Sequence, residues 1–278
     1  MDADRHEPHL LFATSGRVPA AFSTRVGGVS APPFDSLNFG NPGELPAGIE
    51  RDPKTNITEN FARLARALGA HVGADLARRA LVQVHQVHGA AVHLVRAADR
   101  EAHSTTIDWG TIKADAIVTD DPRVLLAVRV ADCAPILAWS ACGRVVAAVH
   151  AGWRGVVSGV LPEALRAMRE LLRESTPIEA CVGPCISAEH FEIGPEVVAE
   201  FERAFGARAP ISRRQPSGKA HADIPAALLL QCEALGVRAT SLARCTVGEP
   251  GLFFSHRRDR GVTGRMVGVI GPAERPTP

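Results

Sequence analysis

The apolar residues of this chain gather in short runs separated by glycine, proline and asparagine, a pattern of many strands with a few helices between them. Residues 20–30 read as a short strand running into the glycine turn at Gly27-Gly28, and Pro32-Pro33 with the run from Asn38 to Gly43 continues as loop. Over 57–68 the apolar residues Phe61, Leu64, Ala65 and Leu68 recur at helical spacing, with Gly69 as the stop. Runs at 80–87 and 90–95 predict strands on either side of His88-Gly89. Four further strands are predicted at 114–119, 124–130, 135–139 and 145–150, the last two joined by a turn at Cys142-Gly143. Val157, Leu161, Leu165, Met168 and Leu172 form one stripe, which predicts a helix over about 155–173. Pro195 sits at a first-turn position of a helix over 195–205, and Asp223 caps another that stops at Gly236. A last strand is expected at 267–270. Strands follow one another in the middle of the chain instead of alternating with helices. The class expected is therefore mixed α/β (α+β), not a simple doubly wound sheet.

Composition bounds this picture. The chain has 278 residues and is 46% hydrophobic, enough for a sizeable core. No linker and no repeat divides it, so residues 1–278 are expected to form a single domain, with an ordered core from about 10 to 272 and short polar ends. A net charge of +1 gives no global field for nucleic acid or an acidic membrane. The longest apolar stretch is broken by Arg129 and Asp132, so a membrane span is not expected. The six cysteines are scattered without framework spacing, and the first residues lack a basic segment followed by an apolar one. Both points suit reduced thiols in the cytoplasm. There is no tyrosine, which excludes chemistry that needs a tyrosine acid or radical.

Three strand ends carry the candidate chemistry. Cys133 lies where two apolar runs meet, at Ala131-Asp-Cys-Ala-Pro135. His150 ends the next run and is followed by Ala151-Gly-Trp-Arg-Gly155; His88 stands beside Gly89 after a third run. A thiol and two imidazoles beside glycines suit either a metal or a cysteine nucleophile with a histidine partner. On a strand His85 and His88 would face opposite sides, so His88 is the expected partner and His85 packs or is exposed. Three protein ligands leave a fourth zinc position open, the catalytic pattern in which the ion's water ionises near neutral pH. Donors sharing one ion should lie within about 4 Å of one another. Asp132 either orients that group or caps its own loop. Arg154 opens a helix directly after His150, and Arg257 and Arg258 sit in a basic segment before the last strand; both suit an anion, with Arg25 before Gly27-Gly28 a weaker third case. His190-Phe-Glu192 has no Pro-Cys-x-x-Cys downstream, and Cys181 and Cys185 have no paired knuckle, so both features read as structural.

The segments from Ser23 to Ser30, Ser36 to Gly40, Gln86-Val-His-Gly89, Ala114 to Thr119, Ala131-Asp-Cys133, Val149 to Gly155, Gly183-Pro-Cys-Ile186, Phe254 to Arg258 and Thr263-Gly-Arg265, taken together and in order, resemble the YfiH-like, laccase-domain family. Its members are also called polyphenol oxidase, purine nucleoside phosphorylase or peptidoglycan editing factor. The resemblance implies one domain of layered mixed β-sheets flanked by helices, related to the catalytic fold of cytotoxic necrotizing factor. It implies zinc on His88, Cys133 and His150, with those residues and Asp132 at the catalytic centre. It implies phosphorolysis of adenosine, inosine, guanosine and methylthioadenosine, and deamination of adenosine. Phosphate and nucleoside would be held by Arg25, Asn38, Arg154, Arg257 and Arg258. Two departures, His256 and Phe191 at places where other residues are usual, bear on substrate preference. A single soft site also takes copper. A multicopper oxidase, however, needs paired His-x-His motifs, and the eleven histidines here form none. Purine nucleosides and phosphate are thus the expected partners, and a homodimer is the assembly left open. Two other readings stand beside this one: a cysteine hydrolase or amidase with Cys133 as nucleophile and His150 as base, acting in peptidoglycan editing, and a binding protein stabilised by zinc.

Overall fold

A computed structural model describes residues 7–14, 16–97, 111–172 and 175–274; residue 173 of the expected helix and the outermost ends of the chain lie outside these. In chain order, β1 (Leu10–Phe12) and β2 (Ala20–Ser23) precede helix α1 (Lys54–Val72). Then come β3 (Ala80–Val82), β4 (Val92–Val95), β5 (Ala116–Thr119), β6 (Val124–Val130), β7 (Ala134–Ser140) and β8 (Val146–Ala151). Helices α2 (Trp153–Val157) and α3 (Val160–Leu172) follow, with β9 (Ile178–Val182), β10 (Glu192–Ile193) and α4 (Pro195–Phe205). The chain ends with β11 (Ile211–Ser212), β12 (Ala220–Ala222), α5 (Ile224–Ala234), β13 (Arg238–Ser241) and β14 (Met266–Ile270).

These strands build a five-stranded sheet, β1-β2-β14-β6-β3, a six-stranded sheet, β13-β9-β7-β8-β5-β4, and a small sheet, β10-β12-β11. Both large sheets mix parallel and antiparallel neighbours. Alternation along each strand sets the layers, because successive side chains point to opposite faces. Leu81, Leu125, Ala127, Val267 and Val269 face α1, whose Ile57, Phe61, Leu64 and Leu68 cover them. Phe22, Val124, Leu126 and Val128 face the other way, against Ile117, Leu137, Val146 and Ala148 of the six-stranded sheet. The far side of that sheet, with Ile136, Ala147 and Val149, is covered by Leu161, Leu165 and Met168 of α3, Phe201 of α4 and Leu228 of α5. The order is helix, sheet, sheet, helices. Both sheets are buried on two faces, which is why β6, β7 and β8 read as nearly continuous apolar runs.

Three local expectations are corrected. Helix α1 runs through Gly69 and ends instead at Gly73, in the left-handed conformation at φ 70°. A Cβ on Gly69 would lie 2.5 Å from the Ala74 carbonyl oxygen, so that glycine serves a close backbone approach. The helix expected over 155–173 is two helices, broken at Gly159 with φ +78°. The strand expected over 80–87 stops at Val82, and His88 sits in a tight turn at φ 60°. The caps at Pro195 and Asp223 form where the sequence places them; Asp223 Oδ1 accepts from the Ala226 amide at 2.9 Å.

The topology fixes the place of the site. β6 belongs to one large sheet and β7 to the other, so Ala131-Asp132-Cys133 is the link that crosses between them. β7 and β8 pair antiparallel with Pro135 opposite His150, which brings the thiol loop beside the end of β8.

Candidate active site and metal centre

Among the described residues, His88, Cys133 and His150 form the one group of three side chains able to share a metal ion, with their donor atoms all within 4.8 Å of one another. That is somewhat wider than the separation expected of donors already drawn onto zinc. The histidine rings meet edge to face, with centroids 4.8 Å apart. His150 is buried, Cys133 half-buried and His88 exposed. Gly152 leaves room for them: a Cβ there would stand 2.9 Å from His88 Nδ1 and 3.0 Å from Cys133 Sγ.

Asp115, to which the sequence alone assigns no role, organises this group. It is fully buried at the start of β5. Its Oδ1 lies 2.9 Å from His150 Nδ1 and accepts the His88 amide at 2.9 Å; its Oδ2 accepts the amides of Val87 at 3.2 Å and Gly89 at 2.7 Å. One carboxylate thus closes the turn that presents His88 and fixes the ring of His150, leaving Nε2 of that ring for the metal side. Burial pushes the Asp115 carboxyl up, but the hydrogen bonds from His150, Gly89 and His88 outweigh it and hold the group below its ordinary value. The signal in the sequence was Asp115 at the mouth of an apolar strand, where an acid has no packing reason to be.

The same balance operates on the donors. Burial raises the Cys133 thiol, but the imidazoles of His150 and His88 overcome it and bring it down to about 6. Burial lowers His150, but the Cys133 sulfur and Asp115 overcome it and raise it to about 9. Without metal both shifts run toward a thiolate beside an imidazolium.

Asp132 adopts φ 83° beside Cys133. Its Oδ1 accepts from Thr246 Oγ1 at 2.6 Å and its Oδ2 accepts the Arg257 amide at 2.6 Å. Both carboxylate oxygens are therefore tied to neighbouring loops, the arrangement of a loop clamp.

The donors open onto a cavity of about 880 Å³. Its apolar wall includes Val130, Trp153, Ile186, Phe191 and Ile224; His85, Gln86, His256 and Asn41 add polar groups. His85 borders this cavity together with His88, because the chain has left the strand before either residue. Arg154 and Arg257 reach the cavity, where Arg154 lies over the Trp153 ring at 4.3 Å and Arg257 over Phe191 at 5.5 Å. Arg25, Asn38 and Arg258 do not line it. Arg25 pairs with Asp35 at 3.0 Å and donates to the Asp35 and Pro250 carbonyls. Asn38 is buried, giving its amide to Asp52 and accepting the Gly40 and Arg265 backbone amides. Arg258 is held by Asp259 and the carbonyls of Thr246 and Phe253. All three bond to neighbouring loop residues. In their place Arg51, Arg129 and Arg265 stand in the wall. An arginine inside the apolar run of β6 was the available signal for Arg129.

The model of the family described as multi-copper polyphenol oxidoreductase laccase matches residues 19–273. A protein of Deinococcus radiodurans named purine nucleoside phosphorylase is 38% identical over 263 residues, 94% of this chain and 92% of its own. Escherichia coli YfiH, with the same enzyme name, is 36% identical over 91% of this chain and 93% of its own. Among solved structures, the Neisseria meningitidis protein NMB0706 covers 95% of this chain and 99% of its own, with a TM-score of 0.74 and 33% identity. YlmD of Geobacillus stearothermophilus covers 92% of each chain with a TM-score of 0.75 and 32% identity.

Proposed function

The chain belongs to the family described as multi-copper polyphenol oxidoreductase laccase, and we propose that it is a zinc-dependent, cytoplasmic purine nucleoside phosphorylase that also deaminates adenosine. The observation that carries the reading is the His88-Cys133-His150 group opening onto a cavity with an apolar and a cationic wall. Relatives at 36–38% identity carry the phosphorylase name. Adenosine, inosine, guanosine and methylthioadenosine are the substrates proposed.

The donor set fits zinc: one thiolate, two imidazoles, and a buried carboxylate orienting one of them. Bound there, zinc would supply Lewis-acid chemistry to the cavity. Trp153, Phe191, Ile186 and Ile224 offer the faces on which a purine packs, and Arg154 and Arg257 frame the opening. In phosphorolysis a phosphate oxygen bonds to ribose C1′ while the bond from C1′ to the purine nitrogen breaks. The base leaves with a proton and ribose 1-phosphate remains. A cationic wall gathers the phosphate and holds it against the sugar. Deamination replaces the amino group of adenine with oxygen from water, releases ammonia, and needs no phosphate.

The test is product analysis with purified protein. Inosine with phosphate should give hypoxanthine and ribose 1-phosphate, and inosine without phosphate should stay intact. Absence of base release with all four nucleosides would end the phosphorylase reading.

A further inference from the structure

Arg129 lies on β6, and Arg265 immediately precedes β14, the antiparallel neighbour of β6. Val267 pairs with Arg129, so Arg265 lies diagonally across from it on the same face. That face is covered by α1 further along, but at this end the two side chains enter the cavity wall. Both flank Gly40: a Cβ there would lie 3.1 Å from Arg129 Cδ and 3.7 Å from Arg265 Cγ. Arg265 Nη1 donates to the Thr263 and Gly264 carbonyls at 2.9 and 3.0 Å, which fixes its guanidinium. Arg129 is fixed through its backbone, since Gln86 bonds its amide at 2.9 Å and its carbonyl at 2.8 Å. Among the described residues neither guanidinium forms a salt bridge with a carboxylate. Two like charges held together in a half-buried wall with no carboxylate paired to either are unfavourable, and an anion bound between them reduces that cost. Burial and mutual repulsion lower Arg265, with Cys133 and Asp132 near enough to oppose the effect.

We propose that Arg129 and Arg265 are the seat of the phosphate dianion, one arginine fork from β6 and one from the residue before β14, and that Arg154 and Arg257 act at the rim. The proposal rests on the phosphorylase reading for the identity of the anion. Two half-buried planar forks lining one wall suit a tetrahedral oxyanion better than the exposed rim arginines do. The seat shares one cavity with the metal donors, so a phosphate there meets a nucleoside bound against the apolar wall.

The experiment uses zinc-loaded full-length protein and inorganic phosphate as the probe, against chloride at equal ionic strength. Melting temperature and calorimetric titration read binding; zinc content reads the state of the metal centre. Phosphate should raise the melting temperature of wild type. Arg129→Gln and Arg265→Gln should keep their zinc and lose that response, with phosphate affinity falling about tenfold or more. Arg154→Gln and Arg257→Gln should weaken phosphate binding less. Gly40→Ala, which keeps both charges but crowds Arg129, should also weaken phosphate binding and serves if a glutamine variant does not fold. Kinetically, the phosphate KM should rise in the glutamine variants while the nucleoside KM stays nearly constant. Phosphate binding as in wild type in either glutamine variant, or unchanged binding in Gly40→Ala, overturns the seat. Nucleoside cleavage with unchanged phosphate KM in the glutamine variants would overturn the seat and leave the phosphorylase reading standing. Phosphate binding lost in those variants, from a wild type that cleaves no nucleoside, would do the reverse.

Discussion

Cys133 illustrates how far a single residue can be read. Its place between two apolar runs, with His88 and His150 at other strand ends, was enough to single out three side chains that the fold brings within 4.8 Å. Its protonation depends on contacts that only the structure shows. In metal-free protein the thiol should titrate near pH 6, so alkylation by iodoacetamide should accelerate as pH rises through about 6. An unperturbed cysteine would show its midpoint near 8.5. Rate against pH for wild type, with Cys133→Ser to identify the reacting thiol, checks this, and a midpoint near 8.5 would contradict it. Bound zinc should protect the thiol. Cys133→Ser should lose metal and activity together if Cys133 is a ligand; a nucleophile variant would keep its metal. Asp115 carries a second prediction. Asp115→Asn removes the charged partner of His150 and weakens the support of the His88 turn. Zinc affinity should fall about 10- to 100-fold, read by competition with a chromophoric chelator. Arg25, Asn38 and Arg258 show the limit of residue reading. A basic or amide side chain next to glycines reads the same whether it meets a ligand or closes a loop, and here Asp35, Asp52 and Asp259 take them.

At the scale of elements, burial explains much of what the sequence makes legible, although β9, itself buried, is not read from it. β6, β7 and β8 are covered on both faces and stand out as apolar runs. The short β10, β11 and β12, with two or three residues each, carry too little pattern to be read. β13 alternates exposed and half-buried positions at a sheet edge and was missed for that reason. Helix ends were misread where a glycine has two possible uses: Gly69 admits a crossing backbone, whereas Gly73 and Gly159 take the left-handed turns. The junction of β8 and α2 yields the element-scale prediction. Gly152 is the residue between them, and a methyl group there would press on His88 Nδ1 and Cys133 Sγ together. Gly152→Ala should keep the fold, seen as an unchanged far-ultraviolet circular dichroism spectrum, and bind zinc about tenfold or more weaker. Zinc affinity equal to wild type would show that the donors have room to move.

For the whole molecule, the sequence pointed to mixed strands and helices; the stacking order was not readable. Which face of a strand meets a helix and which meets the second sheet depends on pairing between distant segments, such as β2, β14 and β6. The crossing of Ala131-Asp132-Cys133 from one sheet to the other follows from that stacking and makes the site a junction of both halves of the core. We therefore expect the residues from about 10 to 272 to unfold as one unit. Leu64→Ala, on the helix covering the first sheet, and Leu165→Ala, on the helix covering the second, each remove a side chain no more than 1% exposed. Each should lower the same denaturation transition by about 2–5 kcal/mol, read by fluorescence and circular dichroism in parallel. Two separate transitions, each sensitive to one variant, would mean two independent units. If, as proposed, the His88-Cys133-His150 centre drives nucleoside chemistry in the cavity it opens onto, that chemistry should depend on zinc. That dependence is tested most directly by supplying adenosine and phosphate to zinc-loaded, chelator-stripped and zinc-restored protein and resolving the products by chromatography. Adenine from phosphorolysis and inosine from deamination are expected, both lost on stripping and regained with zinc. Undiminished turnover in the stripped protein, or none in the zinc-loaded protein, would contradict it.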